Sequence, residues 1–239
     1  MHGKGGMPKG LVGELASTLE EKGFLVANIE MPWSKRRQYD VDVSTADKAV
    51  MSALDRLRGK GATHVFVAGH SQGGVYALQF GGKHTVNGII AIAPGGNVAS
   101  EFFRDKLGAT VAEARALVAE GKVSERTKFY DFEGSKGAIP VTTTPTIYLT
   151  WFDPDGAMNQ WSAVKTMNPK VPVLYIVPTS DYPALRKVKQ EMFGALPSHP
   201  LTKLYEPNAN HINAPTASIG EIARWATDVA SKAGAARNP

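Results

Sequence analysis

Short apolar runs rich in β-branched residues recur along this chain, and the stretches between them carry apolar residues every three or four positions. The runs have the length of strands buried on both faces, and the intervening stretches have the period of amphipathic helices. Parallel strands cannot be joined by a tight turn, so a steady alternation of strand and helix buries its apolar faces as a mostly parallel sheet with crossover helices. The expected fold class is therefore α/β, a mostly parallel central sheet flanked by helices.

Residues 9–22 set Leu11, Leu15 and Leu19 on one helical face, with Gly23 as the stop. Residues 24–30 (FLVANIE) read as a buried strand ended by Met31 and Pro32. Ser44 is positioned to cap a second helix that turns Ala46, Val50, Leu54 and Leu57 inward and ends at Gly59. Residues 65–68 read as the next strand, followed by a glycine-rich turn at 69–74 and a short helix over 75–80. Further strands are expected at 88–93 (GIIAIA), 171–177 (VPVLYIV) and 201–205. A closing helix over about 217–232 aligns Ile219, Ile222, Trp225 and Val229, and the tail from 233 to 239 is expected to fray. The rhythm breaks between about 97 and 168, which hold a helical piece at 110–120, a Thr/Pro-rich run, an apolar run at 146–152 and a turn at 153–156. The expected organisation is a core built from 1–96 and 169–239, with 97–168 inserted as a small cap over one end of the sheet.

Composition narrows the chemistry. At 239 residues, with 43% hydrophobic and 21% charged residues, the chain can bury one sizeable core. The absence of cysteine excludes disulfides, thiolate metal sites and a cysteine nucleophile. No apolar run approaches the roughly 20 residues that cross a bilayer. Residues 1–6 lack the apolar centre of a secretory signal, so the chain as given is expected to be cytoplasmic, or periplasmic or secreted if its native start lies upstream. The net charge of +5 includes one dense basic cluster, Lys35, Arg36 and Arg37, too short for a nucleic-acid footprint.

Gly69-His70-Ser71-Gln72-Gly73 fits G-x-S-x-G. The five letters alone are a weak signal; the strand running in and the helix running out supply the context. A serine hydroxyl that must meet a carbonyl has to stand clear of the sheet. The backbone therefore turns abruptly, and side chains two residues to either side would collide unless both positions are glycine. The following helix also aims its N-terminal dipole at the reacting centre. Ser71 is the expected nucleophile.

A nucleophilic serine needs a base, and the base needs an orienting carboxylate. Of the six histidines, only His199 and His211 lie late enough in the chain. His199 precedes the strand at 201–205, whereas His211 follows it and so projects from the strand's C-terminal end, where catalytic groups of open α/β sheets collect. His211 is the expected base. Asp181, shortly after the strand at 171–177, is the expected acid. Asp153 and Asp155 are rivals whose Asp-Pro-Asp-Gly setting resembles a tight turn. The backbone N–H of Gln72 is one expected oxyanion donor, and the loop His2-Gly3-Lys4-Gly5-Gly6 offers that of Lys4 as the second.

These residues resemble the α/β-hydrolase superfamily, in particular esterase-like members with a His-Gly loop, a G-H-S-x-G-G elbow and a short cap. The resemblance implies an eight-stranded, mostly parallel sheet, no cofactor, and hydrolysis of a small-molecule ester through an acyl-enzyme. In such proteins the His-Gly loop follows a strand in the middle of the sheet; here only Met1 precedes His2, so the N-terminal strands are missing from the expected arrangement. Either the chain is truncated, or another segment or a second subunit, as in a homodimer, fills the place between the strands at 24–30 and 65–68, or the two strands pair directly. The expected function is carboxylic-ester hydrolysis on small or medium acyl chains, with Trp33, Tyr148, Trp151, Phe152 and Met158 lining an acyl pocket. Thioesters, lactones or amides are alternative substrates for the same triad, and a non-catalytic binding protein is the alternative of a different class.

Overall fold

The computed structural model describes residues 1–134 and 136–235; of the tail expected to fray, 236–239 lie outside the described residues. The chain runs α1 (Gly13–Glu21), α2 (Val43–Gly59), β1 (Phe66–His70), α3 (Gln72–Lys83), β2 (Gly88–Ile92), α4 (Glu101–Ala119), β3 (Thr127–Glu133) and β4 (Gly137–Thr143). It continues through α5 (Pro145–Phe152), α6 (Gln160–Lys165), β5 (Val173–Ile176), α7 (Pro183–Gly194), β6 (Lys203–Tyr205), α8 (Ala214–Ala217) and α9 (Ile219–Ala235). None of the described helices is long and apolar enough to cross a membrane.

Local chemistry accounts for the element ends. Asp42, not Ser44, caps α2 by accepting the Thr45 N–H, and Arg56 and Arg58 sit in its last turn, where the dipole favours cations. Ser100 caps α4 and draws its start back to Glu101, well before the helix expected at 110–120. Thr144 caps α5 with Pro145 in the first turn, so the apolar run at 146–152 is helix. The Thr/Pro-rich run belongs instead to the antiparallel hairpin β3–β4.

The central sheet has the order β1-β2-β5-β6 and every pairing is parallel. Because β2 and β5 are buried on both faces, alternate residues serve two cores. Ile90, Ile92, Leu174 and Ile176 pack with Leu15, Ile222, Trp225 and Val229 of α1 and α9. Ile89, Ala91, Val173 and Tyr175 face the other way, toward Val50, Leu54, Val75, Leu78 and Phe80. Segment 97–168 shares this second core rather than sitting apart from it. Tyr148, Trp151 and Phe152 belong to the same cluster as Trp33 and Tyr76, and α6 packs on α3 and α7.

Two expectations are corrected. The central sheet of the described residues has four strands, not eight, and residues 24–30 form no strand. A strand requires a neighbour about 4.8 Å away to accept its hydrogen bonds. Here the ground between residues 24–29 and β1 is an apolar trough of about 500 Å³, lined among others by Leu25, Val26, Ile29, Val65 and Val67. Neither direct pairing nor another described segment closes it. Among the described residues only Met1 pairs with β1 on that side: its amino group donates to the Ala68 carbonyl at 2.7 Å, and its carbonyl accepts the His70 N–H at 3.1 Å. That is the parallel-ladder pattern reduced to one residue.

Trp151 lies at the centre of the larger core, within ring contact of Trp33, Tyr39 and Tyr76, and its Nε1–H donates to the Val41 carbonyl at 2.8 Å. Trp151→Ala should lose about 3–5 kcal/mol of stability in urea unfolding, as large-to-small changes of buried aromatics do.

Candidate active site

Ser71 lies between the last residue of β1 and the first of α3, at φ 55° and ψ −119°. A non-glycine residue holds positive φ only where its surroundings impose it. The flanking glycines explain why this turn is possible. A Cβ on Gly69 would lie 1.9 Å from the Gly73 carbonyl oxygen, and one on Gly73 would lie 2.7 Å from that of His2. Strand and helix therefore cross backbone against backbone, and the Ser71 side chain is thrown outward.

His211 and Asp181 arrive on two loops that extend the sheet's pairing beyond its strands. Thr179 and Ser180 donate their N–H groups to the carbonyls of Pro207 and Ala209, each at 3.0 Å, and Ser180 bridges Asn210 in parallel. One residue beyond this bridge on each loop stand Asp181 and His211. Asp181 Oδ1 lies 2.7 Å from His211 Nδ1, and His211 Nε2 lies 3.0 Å from Ser71 Oγ. With Nδ1–H donating to the buried carboxylate, the neutral ring turns its bare Nε2 to the hydroxyl. Such a chain can take the serine proton as the oxygen attacks an electrophile.

The ring is held by two neighbouring rings and through its own backbone. Tyr182 and His70 lie 4.6 and 4.9 Å from it, centroid to centroid, and His70 Nε2–H donates to the His211 carbonyl at 2.9 Å. Burial first, and the neighbouring His211 second, pull His70 down to about 4, so it stays uncharged beside the His211 ring at neutral pH.

The His-Gly loop is pinned beside the elbow. His2 is buried; its Nε2 accepts the Met31 N–H at 3.0 Å, leaving Nδ1–H to donate to the Gly3 carbonyl at 2.8 Å. Trp33 Nε1–H donates to the His2 carbonyl at 2.9 Å, and the Gly5 N–H donates to the Trp33 carbonyl at 2.9 Å. Gly3 is so near that a Cβ on it would lie 3.1 Å from Ser71 Cβ. Among the described residues, the backbone N–H groups of Lys4 and Gln72 meet no protein acceptor. Both expected oxyanion donors are thus free next to the hydroxyl.

The expected acyl pocket is corrected. Trp33, Tyr148, Trp151, Phe152 and Met158 are between 0 and 3% exposed and pack on one another or on the main core. Aromatic surface of this size gains most from full burial, so these residues build the core and leave no face open to a substrate. The apolar groups that do border the serine were not read from the sequence. Leu185 and Gly95 approach it from α7 and from the turn after β2, since a Cβ on Gly95 would lie 3.2 Å from Leu185 and 3.7 Å from Ser71 Oγ. Tyr182, 54% exposed, directly follows Asp181 and lies 4.6 Å from the His211 ring, centroid to centroid. Its signal is a large aromatic residue set in an otherwise polar loop.

The Asp153 carboxylate is engaged elsewhere. Asp153 takes a bidentate ion pair from Arg115 at 2.9 to 3.1 Å and accepts the Asp155 N–H within its turn. His199 Nδ1 accepts the Leu201 N–H at 3.1 Å. Arg36 and Arg37 of the basic cluster are paired with Glu30 and Asp40. Among the described residues no cluster of three or more His, Asp or Glu side chains is arranged to hold a metal ion.

A parallel sheet with a serine on a strand-to-helix elbow, facing a histidine and an aspartate from the two following strand ends, defines a hydrolase-type scaffold. The model of the alpha/beta hydrolase family matches residues 23–224, and the chain belongs to that family. No curated protein sequence matches it. Among solved structures, one described with the metagenome-derived lipolytic enzymes LipS and LipT is 19% identical at a TM-score of 0.63, covering 95% of this chain and 91% of its own. A monoacylglycerol lipase of Paleococcus ferrophilus is 18% identical at a TM-score of 0.65, covering 96% and 93%. DcsB in complex with its substrate analogue is 14% identical at a TM-score of 0.66, covering 95% and 88%. At these identities the likeness is one of fold.

The depressed His70 carries a stability prediction. Unfolded, it titrates near 6.5; folded, near 4, so the unfolded chain takes up the proton first as the pH falls. Stability should be fully present above pH 6.5 and drop by up to about 3 kcal/mol by pH 4, with buried His2 shifted in the same direction. Chemical denaturation across this range should show a shallower slope for His70→Asn than for the parent protein.

Proposed function

We propose that this protein hydrolyses carboxylic esters through an acyl-enzyme, with Ser71 as nucleophile, His211 as base and Asp181 as its orienting acid. The observation that carries the reading is the unbroken path from Asp181 Oδ1 to His211 Nδ1 at 2.7 Å and from His211 Nε2 to Ser71 Oγ at 3.0 Å. His211 takes the serine proton as Oγ attacks the acyl carbon, and the ring then returns that proton to the departing alcohol. The developing oxyanion is met by the N–H groups of Lys4 and Gln72, assisted by the dipole of the twelve-residue helix α3. Water, activated by the same imidazole, releases the acid.

Lipolytic enzymes and a monoacylglycerol lipase among the structural neighbours support an ester as the substrate. Exposed Tyr182 beside His211, and Leu185 across Gly95 from the serine, offer an open apolar border to the site. This favours small or medium acyl chains lying along a surface over a long chain threaded into a tunnel.

Hydrolysis of p-nitrophenyl acetate and butyrate should be readily measured for the parent protein and fall to background in Ser71→Ala. Asp181→Asn should cost about 10⁴ in kcat, as loss of the orienting carboxylate does in serine proteases. Asp153→Asn, which breaks only the ion pair to Arg115, should leave the rate unaltered. Retained turnover in Ser71→Ala would reject the assignment.

A further inference from the structure

We infer that Asp131, on the β3–β4 hairpin, is a positioning residue for the oxyanion site: its carboxylate holds in one grip the two residues whose N–H groups face the developing charge. This rests on the hydrolase reading above and adds to it a residue from a part of the chain that carries none of the triad.

Asp131 is 2% exposed, and a buried carboxylate costs several kcal/mol unless its oxygens are fully used. They are. Oδ1 accepts Lys4 Nζ at 2.5 Å and the Phe132 N–H at 2.6 Å, and Oδ2 accepts the Tyr39 hydroxyl at 2.9 Å. Lys4 Nζ also donates to the Phe132 carbonyl at 3.1 Å and lies 5.1 Å from the centroid of the Phe103 ring. The Lys4 side chain is therefore fastened along the hairpin, and its backbone N–H is presented beside the elbow.

The second arm reaches Gln72. Tyr39 has one proton and gives it to the carboxylate, so its oxygen is free to accept Gln72 Nε2–H at 3.1 Å. Burial, followed by the Asp131 charge, keeps the Tyr39 phenol protonated throughout the working range. Tyr39 is itself held in an unfavourable conformation, φ 56°, and its carbonyl accepts the Thr143 hydroxyl at 3.0 Å from the partner strand β4. Both strands of the hairpin thus act on the same residue. Strain of this kind persists where the surroundings over-determine a side chain's place.

Lys4 and Gln72 are far apart in sequence, and their N–H groups stabilise an oxyanion only at a set separation. Misplacement of a reacting group by about 1 Å can cost on the order of 100-fold. Because the ground-state ester carbonyl needs these donors less than the tetrahedral intermediate does, loosening them should appear in kcat more than in KM.

The test uses the intact protein with p-nitrophenyl butyrate, and phenylboronic acid as a tetrahedral adduct of the serine. Asp131→Asn should lower kcat about 10- to 100-fold with KM little changed, and weaken boronate inhibition by a similar factor. Tyr39→Phe, which keeps the ring and removes one hydroxyl, should move both readouts the same way by less and guards against a folding defect in the first variant. Lys4→Met combined with Asp131→Asn should be no worse than the poorer single variant. Parent-like kcat and boronate affinity in Asp131→Asn and Tyr39→Phe, or additive losses in the double variant, would overturn the proposal while leaving the hydrolase reading intact. A parent protein without Ser71-dependent ester hydrolysis would overturn both.

Discussion

The backbone at Ser71 stays at positive φ because its neighbours leave it no alternative. Its N–H donates to the Ile92 carbonyl at 2.9 Å, and its own carbonyl accepts from Gly74 at 2.8 Å and Gly95 at 3.2 Å. Below it, Gly69 and Gly73 meet with no room for a Cβ on either. The elbow is thus clamped between the end of β2, the start of α3 and the His-Gly loop. Loosening any of these would let the serine relax into an ordinary turn and swing its hydroxyl away from His211.

The rest of the site is assembled by extending the sheet. The loops after β5 and β6 stay paired for several residues past the last strand position, so Asp181 and His211 are delivered side by side on a hydrogen-bonded frame. Asp181 and His211 sit on loops, but on loops that inherit the rigidity of the ladder beneath them. Ring contacts of His211 with Tyr182 and His70, both tilted, add to the frame.

On the opposite flank the sheet is less complete. Among the described residues, β1 is paired by β2 along its inner edge and by Met1 alone along its outer edge, with an apolar trough beyond. The His-Gly loop is nevertheless held tightly, because its restraints come mostly from side chains and loop carbonyls: the buried His2, the Trp33 indole and the Lys4 ammonium on Asp131. Its position is secured by the segment at 31–33 and by the hairpin rather than by a full strand.

Much of this architecture was legible in the linear sequence, and the reason is locality. The elbow, the order Ser, Asp, His, the buried strands β2 and β5 and the helix closing the chain all rest on residues whose meaning is set by their immediate neighbours: glycines that permit a tight crossing, β-branched runs, and a histidine after a strand. Helix starts were less secure, since Asp42 and Ser44 are both able caps and only the backbone path chose between them. What tertiary structure decided was everything that depends on a partner distant in the chain. Residues 24–30 carry a strand's composition, yet strand pairing needs a neighbour in reach, and the neighbouring ground is open. Trp33, Trp151 and Tyr148 could equally have lined a pocket or filled a core, and packing against one another made them core. Asp131 looks in sequence like one charged residue on an alternating strand; that it grips Lys4 and Tyr39 follows only from the hairpin folding back over the elbow, because a buried charge finds its partners in space and not along the chain.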